Sequence, residues 1–175
     1  QPEATAEVLG ADGWLATGDV GELDPQGRLR ITDRKKDLIK TSGGKYIAPQ
    51  AIEVLFKAVC PLASQMVVHA EGRNYATALI TLDPEALAQW AAANGLAGTD
   101  YAALTALPAV RRYVEASMDQ VNARLNRWET IKDFRILDRE LTVEAGEVTP
   151  SMKVRRKVVE TAYRPLLDGM YATAG

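Results

Sequence analysis

The sequence is poor in the residues that build cross-links and metal centres. Of its 175 residues only one is a cysteine, Cys60, and only one is a histidine, His69. A single cysteine excludes an internal disulfide and any metal site that needs several thiolates, and a single histidine excludes sites that need two imidazoles. We therefore assign no metal ligand. We expect Cys60 to fill a small space in the core. We expect His69 to be a surface or half-buried residue of a strand, since no acid or nucleophile that could pair with it lies nearby in sequence.

Long apolar runs and an excess of one charge are also missing. No apolar run approaches the roughly 18 residues that a membrane span needs, and the chain opens without a charged-then-apolar export signal. The 21 Lys and Arg residues against 23 Asp and Glu residues give a net charge of −2, which argues against a general nucleic-acid partner. We expect a cytoplasmic protein, and leave peripheral contact with a membrane open.

What is present is enough apolar sequence for a packed core, since 47% of the residues are hydrophobic. The pattern predicts a β-hairpin around the turn DPQG, an antiparallel strand pair, a third strand and several helices. The predicted strands are 20–24, 28–32, 65–70, 75–82 and 134–137, and the predicted helices begin at Pro49 and Pro84 or span 109–128 and 154–162. The alternation predicts an α+β fold with a small antiparallel or mixed sheet of about three strands flanked by helices.

Three finer expectations follow from the same pattern. Period-2 alternation in 75–82 predicts that Ala78 and Ile80 lie on a drier face of the strand than Thr77 and Thr81. The apolar stripe of the helix at 109–128 is predicted to end in the core with Trp128. The stretches 97–108 and 142–152 are expected to be loops.

The charged run DRKKD at 33–37 is predicted to be an exposed connector and a domain boundary. Arg34 and Lys36 could bind phosphate, because Arg offers a planar fork and Lys a point charge. A solvated linker is the simpler interpretation, and Asp33 and Asp37 cancel much of the positive field. Both interpretations disfavour a broad nucleic-acid surface.

Two further segments each have a structural interpretation and a ligand-binding interpretation. Asp19, after a Thr-Gly turn, could accept hydrogen bonds from a ribose diol or could cap its own backbone. The glycines between Lys40 and Lys45 let a backbone approach a ligand, but their spacing does not match a phosphate loop, and a plain surface loop fits equally.

Lys153 is the most informative cation. We predict that Thr149 or Ser151 caps a helix whose first turn holds Lys153 and Arg156, at the positive end of the helix dipole. Cations placed there are either exposed to water or hold an anion.

Four segments in this order resemble the adenylate-forming enzymes, and more narrowly the long-chain fatty acyl-CoA synthetases. They are GWLATGD at 13–19, DRKKDLIKTSGGKYI at 33–47, IE at 52–53 and EVTPSMK at 147–153. The resemblance implies an ATP-dependent ligase that converts a fatty acid to acyl-AMP and then to acyl-CoA, with ATP, Mg²⁺ and CoA as cofactors or substrates.

The same resemblance implies that the chain is the C-terminal portion of a longer enzyme. Residues 1–33 then end the large N-terminal adenylation domain, 34–36 form a hinge, and 37–175 form a small mobile lid domain. The large domain is the lid's main partner, and the fragment alone is expected to be inactive.

Site roles follow from the matched motifs. Asp19 corresponds to the residue that holds the nucleotide ribose, Arg34 to a second nucleotide contact, Lys36 to the hinge residue, and Lys153 to the lysine of adenylation. The loop that lets the pantetheine arm of CoA pass comprises Lys40, Ser42, Gly43, Gly44 and Lys45. The commoner family motif has Ser-Gly before the lysine, where this sequence has Ser151 and Met152.

Two alternatives remain open from sequence. The enzyme could be a fatty acyl-AMP ligase that passes the acyl group to a carrier protein. The chain could also be a stand-alone interaction domain, and its hairpin could pair with a second copy, because an isolated hairpin is barely stable.

Overall fold

The computed structural model of the chain describes residues 5–6 and 8–172. The strands are β1 (Asp19–Leu23), β2 (Leu29–Arg34), β3 (Ile39–Lys40), β4 (Tyr46–Ile47), β5 (Ala63–His69), β6 (Ala76–Leu82) and β7 (Ile131–Ile136). The helices are α1 (Pro49–Val59), α2 (Pro84–Ala93), α3 (Tyr101–Thr105), α4 (Pro108–Asn122), α5 (Arg156–Ala162) and α6 (Arg164–Ala172). The predicted α+β class is confirmed.

The predicted hairpin forms from β1 and β2, which pair antiparallel. Its turn is closed by Asp24, whose Oδ1 accepts from the backbone N–H groups of Gln26 and Arg28, both at 2.9 Å. Leu23 and Leu29 at the turn end remain about two-thirds exposed, at 70% and 67%. The hairpin thus presents apolar side chains to its surroundings.

The main sheet has the order β5-β6-β7, with β5 antiparallel and β7 parallel to the central strand β6. All seven residues of β6 are buried. The prediction of a wetter face for Thr77 and Thr81 is therefore wrong. The reason is that both faces are covered, and the hydroxyls are satisfied inside: Thr77 Oγ1 lies 3.0 Å from Tyr171 Oη, and Thr81 Oγ1 accepts from Gln65 N at 3.2 Å.

Two apolar clusters pack on the two faces of this sheet. The larger joins Ile80 of β6 to Phe56 of α1 and Val114 of α4, and also contains Cys60 as the predicted core filler. The smaller joins Leu79 of β6 to Val159 of α5 and Leu167 of α6. Successive side chains of a strand point to opposite faces, so one strand supplies both clusters and the domain has helices on either side of its sheet.

Three helices have proline as their first residue, α1 at Pro49, α2 at Pro84 and α4 at Pro108. Proline is favoured there because its missing N–H has no helical partner to lose. The N-terminus of α2 is further stabilised by Asp83, whose Oδ1 accepts from Ala86 N at 2.9 Å. The predicted starts at Pro49 and Pro84 are confirmed.

Two boundaries differ from the predictions. The expected loop at 97–108 contains the short helix α3, because Asp100 caps it by accepting from Ala103 N at 3.0 Å. Helix α4 ends at Asn122 rather than near residue 128, since the Asn122 amide pairs with both Ile131 N and Ile131 O, at 2.8 and 3.0 Å. Trp128 therefore lies outside the helix and is 44% exposed, so its predicted place in the core is wrong.

The C-terminal helices α5 and α6 are separated at Tyr163, next to the predicted break at Arg164 and Pro165. In the part of the chain that the structure describes, no helix is both long and apolar enough to cross a bilayer.

Candidate functional site

Asp19 and Arg34, both predicted to contact a nucleotide, are partners across the hairpin. They are register neighbours of β1 and β2, and Arg34 Nε lies 3.0 Å from Asp19 Oδ1. The turn before Asp19 uses Gly18 at a φ of +76°, a conformation that favours glycine. The pair leaves the Arg34 side chain 54% exposed, so its guanidinium can also contact a ligand.

An open groove of about 420 Å³ lies beside this pair. Its walls are β2 and the first turns of α1, and its lining includes Asp19, Arg34, Gln50 and Val54. The groove therefore places the carboxylate and the guanidinium at the junction between the hairpin and the first helix of the following domain.

Asp33 fixes that junction. Its Oδ2 accepts from Gln50 N in the first turn of α1 at 3.1 Å, and its Oδ1 accepts from Arg34 N at 2.6 Å. A carboxylate at a helix N-terminus is favoured by the helix dipole and by the unpaired N–H groups. Asp33 is only 2% exposed, so the prediction that the whole charged run is an exposed connector is wrong at its first residue.

The candidate hinge Lys36 lies in a one-turn 3₁₀ segment, Lys35–Asp37. Lys35 and Lys36 are exposed, and Lys35 N donates to Gly18 O at 2.7 Å. The candidate hinge is thus a short exposed turn between two fixed points, the hairpin and α1.

The glycine-containing loop is the turn of a small hairpin made by β3 and β4. Thr41 closes it: Thr41 N donates to Lys45 O at 2.9 Å, and Thr41 Oγ1 accepts from Lys45 N at 3.1 Å. Gly44 has a φ of +75°, and a Cβ at Gly43 or Gly44 would meet open space. We call residues 41–45 the glycine turn.

The glycine turn is anchored to the connection between β5 and β6. Ser42 N donates to Arg73 O, and Gly72 N donates to Lys40 O, both at 2.9 Å. Lys40 N also donates to Glu71 Oε2 at 3.1 Å. Hydrogen bonds to residues 71–73 thus hold the backbone of the turn, while its glycines face open space.

Lys153 does not begin a helix, and that prediction is wrong. Val148 and Val154 form an antiparallel bridge, Thr149 N donates to Lys153 O at 2.9 Å, and α5 starts only at Arg156. Thr149, predicted as a helix cap, instead accepts from Lys153 N at 3.1 Å through Oγ1. Lys153 therefore stands at the end of a tight turn, residues 149–153, which we call the lysine turn.

Met152 carries backbone strain in the lysine turn. Its φ of +60° is the only positive value among the non-glycine residues of the described chain, and glycine adopts this region without penalty. The commoner Ser-Gly form of the motif therefore fits the turn geometry, and Met152 accepts a strain of about 1–2 kcal/mol in the same conformation.

The Lys153 side chain is exposed. Within the described residues no carboxylate lies within ion-pair distance of it, although Arg139, Arg156 and Arg34 each have one. An unpaired ammonium on a tight exposed turn is free to meet an anion supplied from outside the domain.

Sequence reasoning missed the contacts that hold the lysine turn. On one side, Glu147 is 1% exposed, and its carboxylate accepts hydrogen bonds from both terminal nitrogens of Arg139, at 2.8 and 2.7 Å. On the other, Arg156 donates to Val68 O at 2.6 Å and to Glu53 Oε1 at 2.8 Å. Burial raises the pKa of Glu53, and the charge of Arg156 opposes that effect. Glu53 belongs to the IE motif noted in the sequence, but its partner Arg156 is 103 residues further along the chain. Neighbouring residues therefore could not reveal the pair.

His69 is buried, at 8% exposed, deeper than the predicted surface or half-buried position, and its acidic partner comes from a distant part of the chain. Its Nδ1 lies 2.8 Å from Glu160 Oε1 on α5. This contact ties the end of β5 to the C-terminal helices and uses no residue of the groove, the glycine turn or the lysine turn.

The structure brings some of the predicted site residues together and keeps others apart. Asp19, Arg34 and the candidate hinge form one group at the hairpin. The glycine turn is anchored at 70–73 and the lysine turn at 146–147. Among the described residues, no hydrogen bond or ion pair joins Lys153 to the glycine turn or to Asp19. The two turns are separate features of the same domain.

Comparisons with known proteins identify the family of the chain. Residues 36–175 match the family model described as AMP-binding enzyme C-terminal domain. The chain is 41% identical over 170 residues to the long-chain-fatty-acid–CoA ligase FadD15 of Mycobacterium tuberculosis, and 37% identical over 173 residues to the peroxisomal long chain acyl-CoA synthetase 7 of Arabidopsis thaliana. Each match includes 97% of this chain, but the chain spans only 28% and 25% of the length of the two relatives.

Solved structures show the same fold. The adenylation domain of a carboxylate reductase from Mycobacterium chelonae superposes with a TM-score of 0.71 at 31% identity, over 98% of this chain and 25% of that one. The A domain of the carboxylic acid reductase of Segniliparus rugosus, in complex with AMP and a co-purified carboxylic acid, gives 0.72 at 29%, over 99% and 26%. The resemblance drawn from the four motifs is confirmed, and the chain belongs to the family of AMP-binding enzyme C-terminal domains.

Proposed function

We propose that the chain is the C-terminal part of an ATP-dependent long-chain fatty-acid–CoA ligase. In this proposal residues 1–33 end the large adenylation domain, 34–36 are the hinge, and 37–175 are the mobile lid. The similarity to long-chain ligases over almost the whole chain supports this, as does the short share of their length that the chain spans.

In the first step a fatty-acid carboxylate attacks the α-phosphate of ATP and pyrophosphate leaves. Negative charge grows on the phosphoryl oxygens, and an ammonium held near them stabilises that charge. Lys153 is suited to this role because it is exposed, has no carboxylate partner among the described residues, and stands on a turn braced on both sides.

The nucleotide is held by the hairpin pair. The Asp19 carboxylate has lone pairs beyond its contact with Arg34 and accepts hydrogen bonds from the ribose hydroxyls. The Arg34 guanidinium neutralises phosphate. No group of three or more acidic, histidine or cysteine side chains in the described chain is placed to hold a metal, so we assign no ligand of Mg²⁺ to it.

In the second step the lid turns about Lys36, the lysine turn leaves and the glycine turn takes its place. Gly43 and Gly44 are open to solvent on their Cβ side, so a pantetheine arm passes close to the backbone there. The thiol of CoA then attacks the acyl carbonyl, the acyl–phosphate bond breaks, and AMP leaves. Two separately anchored turns on one rigid domain suit such an exchange.

The observation that carries this proposal is the unpaired, exposed Lys153 at the end of a braced turn. We expect Lys153→Ala, in the longer enzyme that carries this chain, to lower acyl-AMP formation by about 100-fold or more, as for loss of one stabilising donor. Thioester formation from supplied acyl-AMP should change little. Pyrophosphate exchange and acyl-CoA release measure the two half-reactions separately.

Lys157→Ala is the matched control, because Lys157 is also exposed and lies four residues away. It should leave both half-reactions unchanged. Equal loss of both steps in Lys153→Ala would remove the assigned role, and no loss at all would favour an interaction domain. Formation of acyl-CoA from free CoA, against transfer only to a carrier thiol, decides the acceptor.

A further inference from the structure

The connection between β5 and β6, residues 70–75, makes contacts that the mechanism above does not use. Its tip, residues 71–73, holds the backbone of the glycine turn by hydrogen bonds. The residue before it, His69, and its last residue, Tyr75, both contact helix α6. The connection therefore lies between the last helix of the described chain and the loop that the proposed second step brings into place.

The side chain of Tyr171 on α6 joins the two ends of this connection. Its Oη lies 3.1 Å from His69 O, 3.2 Å from Tyr75 O and 3.0 Å from Thr77 Oγ1. A hydroxyl has one proton and two acceptor lone pairs, so it can donate to a carbonyl and still accept from the threonine. In the opposite direction, Tyr75 Oη donates to Met170 O at 2.9 Å. The two tyrosines thus bond the connection and α6 to each other.

The ring of Tyr171 extends this contact toward the tip of the connection. Its centroid lies 4.8 Å from that of the Tyr75 ring and 4.6 Å from the guanidinium carbon of Arg73. Arg73 also forms an ion pair with Asp168, one turn earlier on α6. The two side chains are 33% and 49% exposed, and pairs this open to solvent add little stability. The pair therefore serves mainly to fix the direction of Arg73, whose carbonyl accepts from Ser42 N.

We propose that Tyr171 is a positioning residue for the thioester step, acting through Arg73 on the glycine turn. The contacts run from α6 to the connection and from the connection to Ser42, and each of them is a hydrogen bond, an ion pair or a ring contact. The lysine turn is braced by other contacts, those of Glu147 and Arg156. The inference rests on the proposed function, because it takes the glycine turn as the path of the pantetheine arm.

Hydrogen–deuterium exchange of the longer enzyme that carries this chain tests the coupling without reference to activity. Tyr171→Phe keeps the ring and removes the hydroxyl. The backbone amides of residues 40–45 should then exchange about three- to tenfold faster, the scale on which one hydrogen bond shifts a local opening equilibrium. The amides of residues 147–153 should not change. Unchanged exchange at 40–45 overturns the proposal, and so does equal acceleration in both segments, which would mean a general loss of stability.

The two half-reactions give the kinetic test. In Tyr171→Phe, thioester formation from supplied acyl-AMP at saturating CoA should fall about tenfold, since small displacements of groups at a reaction site cost up to about 100-fold. Acyl-AMP formation should not change. Asp168→Asn should show the same selective loss to a smaller extent, and Arg73→Lys, which keeps a cation beside Asp168, should retain most of the thioester rate that Arg73→Ala loses. Equal loss of both half-reactions in Tyr171→Phe overturns the positioning role.

Leu167→Val is the matched control, because Leu167 is buried on the same helix and belongs to the smaller apolar cluster. It loosens the packing of α6 without removing a hydrogen bond to the connection. The exchange of residues 40–45 relative to 147–153, and the ratio of the two half-reaction rates, should therefore stay as in the parent enzyme. A selective thioester loss as large as that of Tyr171→Phe would overturn the role assigned to the hydroxyl.

The two measurements together separate this inference from the proposed function. A parent enzyme that makes acyl-CoA, with Tyr171→Phe at the parent thioester rate, refutes the positioning role and leaves the ligase. An enzyme that makes no acyl-CoA, in which Tyr171→Phe still speeds exchange at residues 40–45 alone, refutes the ligase and leaves the coupling of α6 to the glycine turn.

Discussion

The cationic side chains of the described chain fall into two groups, those paired with a carboxylate and those without such a partner. Arg139 and Arg156 each meet a buried or half-buried carboxylate at 2.7–2.8 Å, and these pairs hold the architecture. Lys153 and Lys132 have no carboxylate within ion-pair distance in the described chain. The charges of Arg139 and Arg156 are compensated by carboxylates inside the fold, whereas an exposed ammonium without such a partner remains available to an external anion.

Glu147 gives a pH-dependent test of the paired group. Hydrogen bonding from Arg139 lowers the pKa of Glu147, so the folded state holds the carboxylate more strongly than the unfolded state does. Its stabilisation is present above the ordinary glutamate pKa of about 4.3 and is lost as the pH falls through the lower folded value. We expect Glu147→Gln to reduce the free energy of unfolding by about 1–3 kcal/mol at neutral pH, allowing for the exposure of Arg139.

Urea unfolding at neutral pH and at about pH 3–4 measures this effect. The deficit of Glu147→Gln should shrink at the lower pH, because the glutamate of the unfolded parent chain then takes up a proton more readily than the native carboxylate, whose pKa is lowered. Glu144→Gln, at an exposed site three residues away, should show no deficit. Parallel stability curves for the parent chain and Glu147→Gln would contradict the assignment.

At the scale of elements, the lysine turn depends on three neighbours. The Glu53 carboxylate accepts from Val68 N at 2.9 Å as well as from Arg156, so α1, β5 and the start of α5 meet at one carboxylate. Arg156 follows Lys153 by three residues. The position of the ammonium is therefore set by a contact with two distant elements rather than by the turn alone.

Arg156→Ala tests this brace. We expect it to lower acyl-AMP formation more than thioester formation, and to reduce the free energy of unfolding by about 3 kcal/mol because Glu53 is left buried without its cation. Lys157→Ala is the control, since Lys157 is exposed and its side chain forms no ion pair among the described residues. Chemical unfolding and the two half-reaction rates are the measurements.

A second variant separates positioning from stability. In Arg156→Ala with Glu53→Gln, no buried charge is left unpaired, so much of the lost stability should return while acyl-AMP formation stays slow. Recovery of both together would mean that Arg156 acts on stability alone.

At the scale of the whole molecule, the chain is a hairpin with exposed apolar side chains, a short 3₁₀ turn and a packed α+β domain. Leu23, Leu29 and Ile31 are more than half exposed, which is consistent with the proposal that the hairpin belongs to a larger domain. The contacts of Asp33 with α1 and of Lys35 with Gly18 place the turn at Lys36 between two fixed points.

Lys36→Pro tests the proposed rotation. Proline fixes its own φ and restricts the residue before it, so we expect acyl-AMP formation to persist. Thioester formation should fall by at least about tenfold, equivalent to about 1.4 kcal/mol of barrier. Lys36→Ala removes the charge and keeps the flexibility, and it should support both steps. A normal thioester rate in Lys36→Pro would exclude the hinge.

Local signals predicted the helices that begin at Pro49 and Pro84, the hairpin around Asp24, and the strand pair of the sheet. These features depend on backbone preferences and on periodic burial within a few residues. The ordered motifs also indicated the family. They did not give the local geometry of Lys153, because a Thr-Pro-Ser run suits either a helix start or a tight turn, and only the bridge from Val148 to Val154 decides between them.

The sequence by itself determined the fold class, the order of the main helices and strands, and the family, because each is recorded in neighbouring residues. The tertiary structure alone decided which charges are paired, as with Glu53 and Arg156, or His69 and Glu160, which are 103 and 91 residues apart. It also decided that Asp33 is buried and Trp128 exposed. Such facts depend on which elements meet in space, and contacts between distant segments are fixed by packing of the whole core rather than by local preference.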